Sequence, residues 1–280
     1  MSLWMALRNL QGRVFGHYTR PLAPGFYEPL AGARGLEIGG PTAAFGDGGI
    51  LPVYPRLTAV DGVQPQSDTH WERFDPEAGF MIDGTRRGEL FFTDGVDLEF
   101  IADGGYDVVI ASHVIEHVAN PLRALAAWRR VSRPDGHLLL VVPHLEGSFD
   151  HRRPVTTLDH MVHDFESGTE ESDLTHLDEF LALHDSDRNK PWTRGPEFEP
   201  RLRDNFHTRL MHHHTFTTLS VAALVRHAGL QILEVETRLP HDIFMLGTWA
   251  DGDAVPSAAA RAARRSPFRV DRRQATSGAS

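Results

Sequence analysis

The sequence predicts an α/β fold in which helices cover both faces of a mostly parallel sheet. Five strand-like segments alternate with helix-like ones from Arg34 onward, which is the pattern of parallel strands joined by crossover helices. A polar stretch interrupts this pattern after Pro143, and a helix and two more strand-like segments then complete it. The predicted strands cover residues 35–38, 57–61, 89–93, 106–112, 137–143, 231–237 and 242–248.

The segment between the fourth and fifth strands predicts a crossover helix. Asn120 suits the N-cap and Pro121 the first helical position, while Leu122 and Leu125 begin an apolar period of helical spacing. The Pro-Asp-Gly sequence at residues 134–136 predicts the turn that follows. Further helices are expected over residues 157–166, 174–184 and 217–228.

The polar stretch at about residues 144–216 is expected to form a helical lid or substrate-binding insertion, because it follows the carboxyl edge of a parallel sheet. Residues 1–33 are expected to form a helical segment before one domain at 34–250. Residues 251–280 combine arginines with Ala, Ser, Pro and Gly and are expected to be disordered. The first residues lack the features of a signal peptide and are interpreted as part of the mature protein.

Composition limits the functions that the chain can have. The 280 residues include no cysteine, which excludes disulfides, zinc-thiolate clusters, iron–sulfur centres and cysteine nucleophiles. A formal net charge of −10 disfavours nucleic acid as a partner, and no apolar run is long enough to span a bilayer. We therefore expect a cytoplasmic enzyme that acts on a small molecule, with its oligomeric state left open. The 17 histidines are the main candidates for proton transfer or metal binding.

Acidic residues and glycines mark the ends of the first two predicted strands. Glu37 is followed by Gly39 and Gly40, which allow the backbone to approach a ligand closely at the carboxyl edge of the sheet. A carboxylate there suits a cationic ligand better than a pyrophosphate. Asp61 ends the second predicted strand 24 residues later, roughly where nucleotide-binding units place a carboxylate for ribose hydroxyls.

Together with FFTDGVDLEF and GYDVVIASHVIEHVANPLRALAAWRRVSRPDGHLLLVVP, these segments resemble class I S-adenosylmethionine-dependent methyltransferases of the small-molecule branch. The resemblance implies a Rossmann-like, doubly wound sheet of seven strands and S-adenosylmethionine as cofactor. It departs from the family at Pro41 and Ala43, which stand where the first-strand motif has glycines. The cofactor contacts that the resemblance implies come from Glu37, Gly39, Gly40, Asp61, Asp94, Gly95 and Ser112.

A narrower resemblance, to bacterial sugar and polysaccharide O-methyltransferases, rests on motifs that occur together. The group includes the 1-O-methyltransferases of methylmannose polysaccharide biosynthesis, and it implies a sugar or oligosaccharide acceptor. The motifs are LEIGGP at residues 36–41, Val60-Asp61 with Thr69 and Trp71, Pro143-His144 with residues 149–156, and the three histidines at 212–214.

Methyl transfer to a hydroxyl requires a base, and histidine suits this role near neutral pH. His144 is the first candidate because it directly follows the fifth strand, and His117 and His113 are the next. Polar side chains of the insertion are candidates for binding sugar hydroxyls, although a solvated loop explains them equally well. These acceptor candidates are Asp150, His151, Arg152, His213 and His214.

Several alternatives stay open at this point. His113-x-x-Glu116-His117 matches the inverted zinc-protease motif, which needs a helix of several turns that this position leaves no room for. The spacing of His160 and Asp164, and separately that of Asp159 and His163, could hold a divalent cation such as Mg²⁺, or it could reflect pairing along a surface helix. A phenol or quinol acceptor, or a methyltransferase fold that binds ligand without catalysis, are the other hypotheses.

Overall fold

The computed structural model describes residues 21–66, 74–188, 196–249 and 257–277, and its centre is a seven-stranded sheet. The strands are β1 Arg34–Ile38, β2 Ala59–Gln64, β3 Phe80–Ile82, β4 Thr85–Gly88, β5 Leu90–Phe92, β6 Tyr106–Ser112, β7 Ser132–Pro143, β8 Gln231–Arg238 and β9 Asp242–Thr248. In the main sheet the order is β5-β2-β1-β6-β7-β9-β8, and β3 and β4 form a separate antiparallel pair. Only β9 runs antiparallel to its neighbours, β7 and β8. This arrangement confirms the predicted Rossmann-like class.

The α-helices are α1 Pro121–Val131, α2 Leu158–Ser167, α3 Leu177–Leu183, α4 Phe198–Arg203, α5 Asn205–Thr208, α6 Thr218–His227, α7 Ser257–Arg265 and α8 Arg269–Ser277. In the described residues, α1, α2, α6 and α7 pack in the core on one face of the sheet, and short 3-10 helices and β3 pack in the core on the other. Successive side chains of a strand point to opposite faces, so each central strand supplies two cores. In β6, for example, Val109 packs in the core with α1, whereas Val108 and Ile110 pack in the core on the other face.

Side-chain caps explain where three of the helices begin. The Asn120 side chain accepts a hydrogen bond from the backbone N–H of Arg123 at the start of α1. Thr157 caps α2 in the same way, and Thr217 and Ser220 form a reciprocal capping box at the start of α6. The predicted positions of these three helices are confirmed to within two residues at their first turns.

The second strand lies further along the chain than predicted. β2 begins at Ala59 and continues to Gln64, because Val63 pairs with Ile38 of β1 and Gln64 pairs with Phe92 of β5. The predicted end at Asp61 is therefore wrong by three residues. β7 likewise begins earlier than predicted, at Ser132, and the Pro-Asp-Gly sequence forms an irregularity within it.

The C-terminal region is helical where disorder was predicted. Within residues 257–277, α7 and α8 bury Ala263, Phe268 and Asp271 completely or nearly so. The prediction of disorder is wrong for this range because a few buried residues sit among many exposed arginines. Residues 250–256 and 278–280, together with 1–20, Thr69 and Trp71, lie outside the described residues.

The insertion after β7 carries α2 to α5 and has a small apolar cluster of its own, which includes Leu177, Phe180 and Met211. Two short 3-10 helices, Pro24–Phe26 and Glu28–Leu30, precede β1 and bury Phe26 and Leu30. In the described ranges, no helix has the length and apolar character that a membrane span would need.

Candidate functional site

The strand order places a crevice between β1 and β6. From β1 the chain proceeds to β2 and β5 on one side of the sheet, and from β6 to β7 on the other. Ligands of such sheets bind where the order reverses, beyond the carboxyl ends of the two central strands. The loops meet there closely: Gly39 has φ +78°, and a Cβ on it would lie 2.7 Å from Cγ2 of Val114.

Glu37 shapes the loop that follows β1. Its side chain is completely buried and accepts hydrogen bonds from the Tyr54 hydroxyl at 2.7 Å and from the Thr42 backbone N–H at 3.1 Å. A Cβ on Gly40 would overlap the Glu37 carboxylate, so glycine is required there. Burial raises the pKa of Glu37 to about 7, against the opposing effect of these two donors. The carboxylate thus holds the loop by internal contacts.

Asp61 lies inside β2, and its carboxylate is hydrogen-bonded to other groups of the same chain. Its carboxylate accepts hydrogen bonds from the Arg34 guanidinium at 2.7 Å, the Tyr106 hydroxyl at 2.8 Å and the Glu89 backbone N–H at 2.8 Å. Arg34 and Tyr106 begin β1 and β6, so Asp61 ties three neighbouring strands together near their amino ends. The side chain that ends β2 is Gln64, whose amide donates to the carbonyl oxygen of Gly40.

Asp94 and Gly95 follow β5 and lie beside the end of β1. A Cβ on Gly95 would come within 2.8 Å of Cγ2 of Ile38, the last residue of β1. The Asp94 carboxylate pairs with Arg209 of the insertion, and Arg209 also binds Glu171 at 2.6 Å. The structure therefore brings Gly39, Gly40, Asp94, Gly95 and the half-buried Ser112 to one edge of the sheet.

His144 is enclosed by the C-terminal helices. Its side chain is completely buried, its Nδ1 accepts a hydrogen bond from the Glu146 backbone N–H, and its Nε2 lies 3.1 Å from Oδ1 of Asp271. The ring stacks on Phe268 with 3.9 Å between ring centroids. His144 directly follows β7 as predicted, but α8 covers it, so it has no route to an acceptor in this arrangement. The region predicted to be a disordered tail supplies this cover.

Four residues, His113, Glu116, His117 and His212, form what we call the central cluster. His113 follows β6 with φ 55°, and Glu116 and His117 lie in the 3-10 helix Ile115–His117. Oε1 of Glu116 lies 3.6 Å from Nδ1 of His113 and 4.0 Å from Nε2 of His117. Glu116 is completely buried, and neither of its oxygens has a hydrogen-bond partner among the described residues.

Each histidine of the central cluster has an acceptor on its other ring nitrogen. Asp242 lies 3.1 Å from Nε2 of His113, the Met211 carbonyl 3.1 Å from Nδ1 of His117, and Asp150 2.5 Å from Nδ1 of His212. These partners fix the ring orientations and direct the remaining nitrogens of His113 and His117 toward Glu116. Because the motif spans one 3-10 turn, it lacks the helix on which a zinc protease would align His113 and His117.

The two histidines next to Glu116 have pKa values that are shifted in opposite directions. Burial lowers the pKa of His113, but the hydrogen bond to Asp242 and the nearby charges of Asp242 and Glu116 outweigh it and raise the pKa to about 9. Burial, together with the neighbouring His212, lowers the pKa of His117 to about 4. Near neutral pH, His113 is therefore a cation and His117 is a neutral imidazole.

A second group, His160, Asp164, His176 and His214, forms what we call the outer cluster. Nε2 of His160 lies 3.0 Å from Nε2 of His176 and 3.4 Å from Oδ2 of Asp164. Nε2 of His214 lies 3.9 Å from the same Asp164 oxygen. His160 and Asp164 are one of the two pairs whose spacing suggested a cation site, and the structure adds His176 and His214 to this pair.

The remaining predicted acceptor residues lie in the wall of the insertion. Asp150 is buried between His212 and Arg153, while His151 and Arg152 both contact Asp185, at 2.8 and 3.1 Å. His213 points away from its neighbours to the Asn205 side chain, 3.1 Å away. Sequence reasoning missed Asp242, Arg209, Tyr54 and Asp271. Of these four, only Asp242 could have been found from the sequence, because it is a polar residue at the start of a predicted strand.

Comparison with known proteins identifies the family. A sequence model described as a methyltransferase domain matches residues 11–235 of the chain, whereas no curated protein matches it. The chain is similar in fold to a Burkholderia thailandensis 1,6-didemethyltoxoflavin N1-methyltransferase with bound S-adenosylhomocysteine, at 14% identity and a TM-score of 0.46, covering 90% of this chain and 92% of that one. A Thermotoga maritima S-adenosylmethionine-dependent methyltransferase shows 17% identity and a TM-score of 0.41, covering 88% and 97%. These likenesses concern the fold alone.

Proposed function

This chain belongs to the methyltransferase domain family, and we propose that it transfers a methyl group from S-adenosylmethionine to a hydroxyl of a sugar or oligosaccharide. The observation that carries the proposal is the central cluster, in which a neutral histidine and a buried carboxylate that accepts no hydrogen bond follow β6 at the crevice. An oxygen acceptor must lose a proton during transfer, and this pair of groups can take and hold one.

The residues at the crevice fit S-adenosylmethionine. Gly39 and Gly40 place side-chain-free backbone after β1 at the crevice, and packing requires glycine there because a Cβ would collide with Val114 or Glu37. By the family resemblance Asp94 and Gly95 would lie against the adenine and Ser112 beside the sulfonium. Glu37 and Asp61 would act indirectly by fixing the loop and the strands. When bound, the cofactor supplies an electrophilic methyl group. We see no such fit for a Mg²⁺ cofactor at this crevice, where histidines outnumber carboxylates.

His117 is the base in this proposal. Its Nδ1 donates to the Met211 carbonyl, which leaves the lone pair on Nε2 to accept the acceptor's hydroxyl proton. The imidazolium that forms lies beside Glu116, whose carboxylate stabilises the new charge. This role gives a reason for a buried carboxylate that accepts no hydrogen bond at rest, a state that otherwise costs free energy.

The groups around the central cluster favour a hydroxyl-rich acceptor over a flat aromatic one. His241 lies against His113 with 5.5 Å between ring centroids, and Asp242 and His212 complete a wall of donors and acceptors. A phenol or quinol needs an apolar slot for its ring, whereas several polar groups around one point suit the hydroxyls of a sugar. The half-buried His151 and the exposed Arg152, which both contact Asp185, supply further polar groups in the insertion.

Incubation of the purified protein with S-adenosylmethionine labelled in its methyl group tests the proposal. The acceptors are a panel of mono- and oligosaccharides with free hydroxyls and a matched panel of phenols and quinols, with products identified by mass spectrometry. We expect label in a saccharide and stoichiometric S-adenosylhomocysteine. Label only in the phenols would overturn the sugar acceptor, and S-adenosylmethionine binding without any product would favour a non-catalytic binding protein.

A further inference from the structure

The outer cluster brings together more nitrogen and oxygen lone pairs than there are N–H or O–H donors to pair with them. Nε2 of His160 and Nε2 of His176 face each other at 3.0 Å, so one shared proton is the most that this contact can use. Oδ2 of Asp164 is buried and accepts no hydrogen bond, and Nδ1 of the fully buried His214 has no partner among the described residues. Atoms of this kind repel one another unless a cation lies between them.

We infer that His160, Asp164, His176 and His214 bind one transition-metal cation, and that Zn²⁺ suits the four ligands best. The three histidines each offer a ring nitrogen, and these nitrogens lie within 4.8 Å of one another. Two ligands about 2.1 Å from a tetrahedral Zn²⁺ lie roughly 3.4 Å apart. Nε2 of His160 lies 3.0 Å from Nε2 of His176 and 3.4 Å from Oδ2 of Asp164, which is close to this spacing, and Nδ1 is the nitrogen of His214 left for the metal.

The ligand chemistry selects the class of metal. Three imidazoles and one carboxylate suit Zn²⁺, Co²⁺ or Ni²⁺, whereas Mg²⁺ prefers oxygen ligands and retains several waters. Thr169 donates to the other Asp164 oxygen at 3.4 Å, and the Ala119 carbonyl lies 3.2 Å from Nε2 of His214. Partners of this kind behind the ligands orient them toward a metal. The partly exposed His160 gives the cation a route from solvent.

The argument for a metal in the outer cluster does not apply to the central cluster. There the Glu116 carboxylate faces the His113 imidazolium, which supplies a positive charge beside it without a metal ion. No Lys or Arg forms an ion pair with Asp164 in the described parts of the chain. A cation in the outer cluster would supply the missing positive charge.

The position of the outer cluster gives the cation a structural role. His160 and Asp164 lie on α2, His176 precedes α3, and His214 belongs to the extended segment before β-bridged Phe216. The backbone N–H of His214 donates to the Glu116 carbonyl at 3.2 Å. A bound cation would therefore join three parts of the insertion and hold them against the loop that carries the central cluster.

Metal loading of the full-length protein tests the inference without measuring activity. Protein stripped with a chelator is titrated with Co²⁺ or Zn²⁺ and its bound metal is measured by mass spectrometry. We expect one ion per chain and the intense visible bands of tetrahedral Co²⁺. His176→Gln should bind at least 10- to 100-fold more weakly, and His163→Gln, an exposed neighbour on α2, should bind like the wild type.

Two further variants keep the outcome decisive. His160→Gln removes the most exposed ligand and should retain the fold by circular dichroism even where His176→Gln does not. His117→Gln should keep the metal, because it belongs to the central cluster. The inference is overturned if the wild type binds no ion tightly, if Co²⁺ gives only weak octahedral bands, or if His117→Gln loses the metal while His176→Gln keeps it.

Discussion

The central and outer clusters contain the same residue types, one carboxylate and three histidines, yet they differ in how their charges are balanced. In the central cluster each histidine has an acceptor behind it, and the Glu116 carboxylate faces a histidine whose pKa is raised to about 9. In the outer cluster burial lowers the pKa of His214 to about 3, and the Asp164 oxygen has no donor. The first cluster is suited to moving a proton and the second to holding a cation.

The three consecutive histidines at positions 212–214 divide between these two regions. His212 joins the central cluster, His214 joins the outer one, and His213 contacts Asn205. Neighbouring residues in extended backbone point in different directions, so one short motif supplies two sites. The acceptor candidates His213 and His214 therefore lie away from the central cluster, and His212, which was not among those candidates, reaches it.

The largest expected effect comes from removing the proposed base. His117→Gln should lower turnover by about 10²- to 10⁴-fold, the usual contribution of general-base catalysis. Affinity for S-adenosylmethionine should stay unchanged, because His117 lies outside the glycine and Asp94 edge of the crevice. Turnover is followed with labelled cofactor, and affinity by calorimetry.

The matched control for this change is His163→Gln, which alters an exposed histidine that belongs to neither cluster. It should retain full turnover. Wild-type turnover in a folded His117→Gln protein would remove His117 from catalysis and would contradict the division of labour between the clusters.

Removing the metal from the outer cluster should lower the thermal stability of the protein. A ligand that binds the native state at 100 to 1,000 times its dissociation constant adds about 3–4 kcal/mol, which for a chain of this size corresponds to roughly 6–16 °C in Tm. We expect the Zn²⁺-loaded wild type and His117→Gln to lose such an increment on chelation, measured by scanning calorimetry. His176→Gln should melt at one temperature with and without chelator, and an equal chelator effect in that variant would place the metal elsewhere.

Much of the fold was predictable because it depends on local patterns. The buried apolar strand at residues 138–142 and the capping residues Asn120, Thr157 and Thr217 can each be read from a few neighbouring residues. The end of β2 could not be predicted as well, since Val63 and Gln64 extend it by pairing with β1 and β5, which are distant in sequence.

The candidate site was predictable as a region but less so as a set of side chains. His144 follows a strand at the expected edge, yet Phe268 and Asp271, more than 120 residues later, cover it. No local signal indicates that an arginine-rich segment returns to this edge. The positions of His113 and Glu116 followed from the strand that precedes them, whereas their partner Asp242 comes from the other end of the domain.

The smallest expected effect is a pH dependence of the free energy of unfolding, to which the central cluster contributes through His113. The folded pKa of His113, about 9, lies above its ordinary value near 6.5, because Asp242 and Glu116 face it while the His241 ring packs alongside. The native state therefore holds a proton that the unfolded chain releases, so this stabilisation is complete below about pH 6.5 and is lost as pH rises through about 9. We expect a decline on the order of 1–2 kcal/mol across that window in urea unfolding. His113→Asn should flatten this part of the profile while the outer-cluster variant His160→Gln retains it, and an unchanged slope in His113→Asn would show that another group holds the proton.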